Sequence, residues 1–184
     1  MVSRRSRSPV LAILSEVETP RLTLRRMQFD DAPLLVRLMN EPSFIENIGD
    51  RGVHSIEDAH RYLREGPMAM YEKYGFGLWH TALKDGTFVG MCGLLKRDNL
   101  PDPDLGYAYL PAFWGQGIAY EAADATLVHC ARKFGLKRAL GVVSEGNAGS
   151  IRVLEKLGMG FERMFVMREG EAPARLYSRN LSAE

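Results

Sequence analysis

The stretch "PAFWGQGIAYEAADATLVHCARKFG", residues 111–135, places two glycines at a turn between a predicted strand and a predicted helix. The run before it, residues 104–110, is rich in β-forming residues, and a helix is expected from about Gly117 to Phe134. Glycines at this turn keep side chains away, so another group can approach the backbone closely. At a helix N-terminus, the free N–H groups of residues 116–119 would form a site for an anion such as a pyrophosphate.

Two common nucleotide-binding motifs do not fit this turn. Gly115 and Gly117 match the start of the dinucleotide fingerprint GxGxxG, but Tyr120 stands at the third glycine. That fingerprint also belongs in the first strand–helix turn, whereas this turn lies past the middle of the chain. A P-loop would need Lys and Ser or Thr after the glycine, and here Ile118 and Ala119 follow. The remaining alternative to an anion site is a tight connection that binds nothing.

The rest of the sequence predicts a mixed sheet with helices on both faces. Asp85-Gly86, between two β-rich runs, is a strong hairpin signal and indicates antiparallel pairing in the middle of the chain. Two later strand–helix units require some parallel pairing, so the fold class is α/β with a mixed central sheet. The predicted strands are residues 21–27, 75–83, 87–95, 104–110, 138–144, 161–167 and 174–181, and the predicted helices are residues 30–42, 55–75 (weakened at Gly66-Pro67), 117–134 and 150–158.

Length and composition indicate one domain with a balanced surface charge. The chain has 184 residues and a formal net charge of +1, which gives no reason to expect nucleic acid or a membrane as partner. Residues 1–16 are expected to form a flexible basic tail, and residues 17–184 the single domain. Cys92 and Cys130 lie far apart in apolar segments, which favours free thiols in a cytoplasmic protein.

Two motifs carry a resemblance to a known family. The turn "WGQGIAYEA", residues 114–122, resembles the coenzyme A pyrophosphate loop of the GNAT superfamily of N-acetyltransferases, although Trp114 stands where Arg or Gln is commoner. The segment "NAGSIRVLEKLGM", residues 147–159, resembles a signature of the RimJ/RimL-type branch, with Met159 in place of the usual Phe. In this order and spacing, the resemblance extends over about residues 20–181. It implies the GNAT fold, a mostly antiparallel sheet in which a splayed strand pair holds the cofactor.

The resemblance also implies how acetyl-CoA is bound. The pantetheine arm would lie along the predicted strand 104–110 like an extra strand. A backbone N–H of Tyr109 or Leu110 would then point at the thioester carbonyl, since Pro111 has none to offer. The expected cofactor-binding residues are Tyr109, Leu110, Trp114, Gly115, Gln116, Gly117, Ile118, Ala119, Asn147 and Ser150.

By the same resemblance, Ser150 lies beside the coenzyme sulfur and is expected to protonate the departing thiolate. Many relatives use a tyrosine four residues further along this helix, on the same face, where this sequence has Leu154. Asn147 is expected to cap the helix, to contact the cofactor, or to do both. If Ser150 is not the acid, water or a tyrosine must serve, and the candidates are Tyr107, Tyr109 and Tyr120.

The general base is left open among Asp104, Glu121 and water. Both carboxylates flank the expected cofactor site, although each could instead be a solvated charge or a partner of the helix dipole. An α-amino group, with a pKa of about 8, needs less help than a lysine at about 10.4. His54 and His80 are expected to be structural. No set of His, Cys and Asp has metal-ligand spacing, so no metal is expected.

The resemblance implies an acetyl-CoA-dependent N-acetyltransferase that acts on a primary amine through a ternary complex. The amine could belong to a protein N-terminus or to a small molecule, and the protein could be a monomer or a homodimer. Acceptor contacts are expected from residues 44–55 and 69–75, where acidic side chains would suit a cation: Glu41, Glu46, Asp50 and Glu72 lie in or next to these segments. The alternative is a non-catalytic acyl-CoA sensor with the same fold.

Overall fold

The computed structural model describes residues 14–182, which form an eight-stranded mixed sheet flanked by helices on both faces. The strand order in the sheet is β1-β2-β3-β4-β5-β6-β8-β7. The strands are β1 (Ser15–Glu18), β2 (Leu22–Arg26), β3 (Leu78–Leu83), β4 (Phe88–Leu95), β5 (Asp104–Tyr109), β6 (Arg138–Ser144), β7 (Gly160–Phe165) and β8 (Ala174–Asn180). The α-helices are α1 (Ala32–Met39), α2 (Pro42–Ile48), α3 (Ile56–Leu63), α4 (Ala69–Tyr74), α5 (Ile118–Phe134) and α6 (Ala148–Lys156).

This arrangement confirms the predicted fold class and adds two elements. Helix α2 was not predicted as a separate helix, and β1 was not predicted as a strand. The expected tail, residues 1–16, lies mostly outside the described residues, but its last two residues, Ser15 and Glu16, belong to β1. The predicted helix 55–75 is present as α3 and α4, joined by a π-helical turn over Arg64–Met68 that contains Pro67.

The sheet separates two apolar layers. In one layer, α5 and α6 cover one face, and Ile118 and Leu154 pack there against the sheet. In the other layer, α1 to α3 cover the opposite face, where Leu35 and Leu63 are fully buried. Strand β5 contributes to both layers, because successive side chains of a strand point to opposite faces. Its residues Leu105 and Tyr109 face α5, whereas Ala108 lies in the layer of α3.

Strands β5 and β6 separate after a single pairing. On its other side β5 forms six antiparallel pairs with β4, but with β6 it forms only the parallel pair of Asp104 and Leu140. Asp104 is the first residue of β5, so the two strands diverge towards their carboxyl ends and leave a gap between them. The gap confirms the expected splayed strand pair. It opens at the end of β5 that leads into the two-glycine turn.

Candidate active site

The two-glycine turn connects the open end of the gap to helix α5. Gly115 and Gly117 both have positive φ, 72° and 78°, a conformation that other residues adopt only with strain. Gly117 is the N-cap of α5. The indole Nε1 of Trp114 donates a hydrogen bond to the Tyr109 carbonyl oxygen at 2.8 Å, which folds the turn back onto the end of β5. The first N–H groups of α5 have no partner within the helix and are therefore available to an anion.

Arg21 fixes the outer side of this turn. Its Nε donates to Glu121 Oε2 at 2.6 Å, and its Nη1 donates to the carbonyl oxygen of Gln116 at 2.7 Å. The hydroxyl of Thr19 donates to Glu121 Oε1 at 2.6 Å. Burial raises the pKa of the Glu121 carboxyl, but the hydrogen bonds from Thr19 and Arg21 outweigh it, so the net change is downward. Glu121, one of the two carboxylates considered as a base, is thus engaged in holding the turn.

We expect Arg21→Gln to weaken acetyl-CoA binding about tenfold, because a charge-assisted hydrogen bond that orients the Gln116 peptide is lost. Arg26→Gln is a matched control. Arg26 lies at the other end of β2, its Nε is 2.7 Å from Glu16 Oε1, and its side chain is 46% exposed against 47% for Arg21. Calorimetric Kd values should rise for the first variant alone, and similar losses in both variants would contradict this role for Arg21.

The backbone of β5 distinguishes between the two candidate oxyanion donors. The N–H of Leu110 donates to the Val89 carbonyl at 2.9 Å, so it is not available to a thioester. The N–H groups of successive residues in a strand point to alternate sides, which directs the N–H of Tyr109 away from β4 and towards the gap. The expectation that Leu110 could supply this donor is therefore wrong. Tyr109 remains the candidate.

Ser150 and Tyr107 meet across the gap. Ser150 lies in the first turn of α6, and its Oγ is 2.7 Å from the hydroxyl oxygen of Tyr107 on β5. Burial raises the pKa of Tyr107 to about 12, although the hydrogen bond with Ser150 acts in the opposite direction. The phenol is thus protonated at neutral pH. Asn147 caps α6, since its Oδ1 accepts a hydrogen bond from the Ser150 N–H at 3.0 Å. Ser150 is therefore held at two points, by Asn147 through its backbone N–H and by Tyr107 through its hydroxyl.

Leu154 occupies a different environment from Ser150. It is 2% exposed and lies against β6, where a Cβ added to Gly141 would stand 3.0 Å from Leu154 Cδ2. A tyrosine at position 154 would therefore overpack this contact unless β6 moved. Tyr120, another candidate acid, has the Lys156 ammonium over its ring at 4.6 Å. Among the candidate tyrosines, Tyr107 is the one with a hydrogen bond to Ser150.

Asp104 lies at the closed end of the gap. Its side chain is buried and forms an ion pair with Arg97, whose Nε is 2.8 Å from Asp104 Oδ1. Burial raises the pKa of Asp104 while Arg97 opposes that change. Tyr109 lies five positions further along β5, or roughly 16 Å along an extended strand. Asp104 is therefore remote from the proposed thioester position.

The two histidines that were expected to be structural, His80 and His54, both contact neighbouring side chains. His80 is buried beside Phe88, with ring centroids 4.9 Å apart, and burial lowers its pKa to about 4. It is therefore neutral at pH 7. His54 contacts Asn40 and Asp50 at the surface. Within residues 14–182, no group of three or more His, Cys, Asp or Glu side chains could hold a metal ion, and no helix is long and apolar enough to cross a membrane.

Residues 21–160 match the family model described as "Acetyltransferase (GNAT) domain". The chain is also 31% identical over 171 residues to the protein YkkB of Bacillus subtilis, a match that covers 90% of this chain and 95% of YkkB. The chain therefore belongs to the GNAT family and is an acetyltransferase.

Solved structures support the same fold. The acetyltransferase from Agrobacterium tumefaciens superposes with a TM-score of 0.76 at 22% identity, covering 95% of this chain and 99% of that one. RimL, a ribosomal L7/L12 alpha-N-protein acetyltransferase in complex with coenzyme A, superposes with a TM-score of 0.78 at 19% identity, covering 90% and 97%. At these identities the two neighbours show that the chain shares the fold of acetyltransferases.

Proposed function

We propose that this protein transfers an acetyl group from acetyl-CoA to a primary amine by direct attack within a ternary complex. The observation that carries the proposal is the position of the Gly115–Gly117 turn. It joins the mouth of the gap between β5 and β6 to the N-terminus of a 17-residue helix. A phosphate group at the helix and an extended thioester arm along β5 would then lie in line.

The resemblance suggests the following roles, and the geometry of the gap supports them. The N–H groups of residues 116–119 bind the pyrophosphate, and the N–H of Tyr109 stabilises the charge that develops on the thioester oxygen. The amine lone pair forms the new C–N bond as the C–S bond breaks. Ser150, hydrogen-bonded to Tyr107, gives a proton to the leaving sulfur, and the proton of the amine leaves through water.

Water is the proposed acceptor of that proton because both candidate carboxylates are engaged elsewhere. Glu121 is bound by Arg21 and Thr19, and Asp104 is buried against Arg97. An α-amino group with a pKa of about 8 is partly deprotonated at neutral pH, so it needs no dedicated base. The N-terminus of a protein or peptide meets this condition.

Acetyl-CoA should raise the melting temperature of the protein, and NAD should not. At a concentration one hundred times its Kd, a ligand that binds only the folded state adds about 2.7 kcal/mol, or roughly 5–10 °C for a chain of this size. NAD also contains a pyrophosphate but lacks the pantetheine arm, so it tests the role of β5. Stabilisation by NAD alone would overturn the proposal. Stabilisation by acetyl-CoA without acetylation of any amine would instead favour an acyl-CoA sensor.

We propose a cytoplasmic location and a monomer or homodimer. Cys92 and Cys130 are both free and buried, which suits a reducing compartment. A single catalytic domain that includes β1, preceded by a basic tail, is the proposed organisation.

A further inference from the structure

The indole nitrogen of Trp114 lies on the gap side of β5. The peptide that joins Tyr109 to Leu110 is trans, and its N–H donates to the Val89 carbonyl oxygen on β4 at 2.9 Å. Because the C=O and the N–H of a trans peptide point in opposite directions, the Tyr109 carbonyl faces away from β4 and towards the gap. The indole Nε1 donates to this carbonyl at 2.8 Å, so Trp114 lies at the mouth of the gap.

The indole N–H takes the place of a partner that β6 does not supply. The two strands form only the pair of Asp104 and Leu140, which lies at the other end of β5. Within the described residues, the hydrogen bond to the Tyr109 carbonyl therefore comes from Trp114 and not from β6. The last peptide of β5 is thus held at both its N–H and its C=O, where a strand end without a partner would otherwise fray.

Tyr109 is confined on both sides of the strand. On the β4 side the two backbones approach closely, since a Cβ added to Gly90 would stand 2.8 Å from the Tyr109 Cα. On the gap side Trp114 is itself fixed, because its backbone N–H donates to the Pro111 carbonyl at 3.1 Å and closes the short turn that follows β5. The proposed oxyanion donor, the Tyr109 N–H, therefore belongs to a residue whose backbone has little freedom.

The ring of Trp114 is not covered by the rest of the protein. The residue is 52% exposed although its indole nitrogen is hydrogen-bonded. The expected path of the acetyl-CoA arm begins at the N–H groups of residues 116–119 and ends beside Tyr109, so it passes this ring. An aromatic ring whose polar atom already has a partner is well suited to contact an apolar chain.

We propose that Trp114 is a positioning residue for acetyl transfer. Its indole N–H holds the end of β5 so that the Tyr109 N–H keeps its direction into the gap, and its exposed ring is covered when acetyl-CoA binds. This inference rests on the proposed function and deepens it, because it names a residue that acts through Tyr109. The side-chain nitrogens Nε1 of Trp, Nε2 of Gln and Nε of Arg are separated from Cα by the same number of bonds. The Arg or Gln that is commoner at this position can therefore present a similar donor.

Three substitutions separate the N–H donor from the ring. Trp114→Phe keeps a ring without the donor, Trp114→Gln keeps a donor without the ring, and Trp114→Leu has neither. A pool of short peptides with free α-amines serves as acceptor. We expect the single-turnover rate constant to fall about tenfold in Trp114→Phe and Trp114→Leu, the value of one hydrogen bond, and to stay within about threefold of the wild type in Trp114→Gln.

Two further readouts separate positioning from a merely structural role. The Kd of acetyl-CoA should stay nearly unchanged in Trp114→Phe, so that the loss appears in the rate and not in binding. Phe161→Leu is the matched control, because Phe161 on β7 is also 52% exposed, and it should keep the wild-type rate. Melting temperatures of all variants report whether each is folded.

Quenching of tryptophan fluorescence by acrylamide tests the ring without measuring activity. The chain has two tryptophans, and Trp79 is fully buried, so the quencher reaches chiefly Trp114. Saturating acetyl-CoA should lower the quenching constant, whereas adenosine 3′,5′-bisphosphate, which lacks the arm, should leave it unchanged. The fluorescence that remains in Trp114→Phe comes from Trp79 and should respond to neither.

The outcomes distinguish this inference from the proposed function. A full rate in Trp114→Phe, or equal losses in Trp114→Phe and Trp114→Gln, would overturn the positioning role. Unchanged quenching at saturating acetyl-CoA would overturn the contact with the ring. Either result leaves the proposed function standing as long as the wild type acetylates the peptides. A wild type that does not bind acetyl-CoA by calorimetry would contradict the proposed function itself. If it binds acetyl-CoA but acetylates no peptide, the proposed transfer to α-amines is contradicted, and the quenching measurements still decide the contact with Trp114.

Discussion

Gly117→Glu is expected to raise the Kd of acetyl-CoA at least a hundredfold while the protein still folds. The backbone of Gly117 has a φ of 78°, so any other residue is strained there. An added Cβ would extend towards Arg21, with Nη2 3.4 Å away, at the side of the turn where the loop is fixed. A carboxylate at this position would also repel the phosphates that the N–H groups of residues 116–119 bind. Calorimetry with acetyl-CoA measures the effect.

Gly135→Glu provides a matched control at the opposite end of the same helix. Gly135 has a φ of 65°, ends α5 and has no atom within 4 Å of an added Cβ. The substitution therefore brings the same charge and a similar backbone strain without approaching the turn. We expect Gly135→Glu to lose at least as much thermal stability as Gly117→Glu, because a negative charge is unfavourable at a helix C-terminus, and only Gly117→Glu to lose binding. Unchanged affinity in Gly117→Glu would count decisively against the assigned loop.

Ser150→Ala is expected to lower kcat about a hundredfold with little change in the Kd of acetyl-CoA, because proton donation to sulfur occurs mainly in the transition state. A water molecule can replace the small hydroxyl that Ser150→Ala removes. The size of the loss in kcat therefore tests whether Ser150 lies beside the sulfur as well as whether it donates the proton. Single-turnover measurements are required, since product release could otherwise hide the chemical step. Full activity in Ser150→Ala would return this residue to a simple role in the first turn of α6.

Tyr107→Phe extends this test to the partner of Ser150. With the two oxygens 2.7 Å apart, the pair should act as a unit, so the double variant should be little slower than the slower single variant. Tyr120→Phe discriminates between acids, since the ring of Tyr120 is covered by Lys156 and the hydrogen bond to Ser150 comes from Tyr107. A large loss in Tyr120→Phe with full activity in Tyr107→Phe would move the proton donor to α5.

The sequence predicted those parts of the fold whose signals are local. Asp85-Gly86 does form the turn between β3 and β4, where the Asp85 carboxylate accepts a hydrogen bond from the Thr87 N–H. Gly117 and Gly135 do bound α5, both with positive φ. Strand β1 was missed because its four residues include one buried apolar side chain, Val17, and its acidic neighbours are held by distant basic residues.

The parts of the site that could not be predicted depend on contacts between distant segments. Arg21 and Glu121 are 100 residues apart, and no spacing rule links them. Tyr107 could have been placed on the same face as Tyr109 by the alternation of a strand, but its contact with Ser150 depends on how far β5 and β6 diverge. The hydrogen bond from the Leu110 N–H to Val89 depends on which residue pairs of β4 and β5 exchange hydrogen bonds. The amino-acid sequence does not encode that choice locally.

Asp104 and Leu140 form the single pair between β5 and β6, so the sheet has a seam, the line along which these two strands are not hydrogen-bonded to each other. Beyond that pair, β5 lies inside the sheet, but its backbone N–H and C=O groups on the β6 side have no strand partner, as at the edge of a sheet. The flanking helices keep other chains away from these groups. The arm of the co-substrate would occupy this seam as a removable strand that enters and leaves with every catalytic cycle. The halves on either side, β1 to β5 and β6 to β8, are then joined chiefly by α5, α6 and their apolar contacts. Amide hydrogen exchange near the seam would accordingly slow when the arm is in place and recover when it departs.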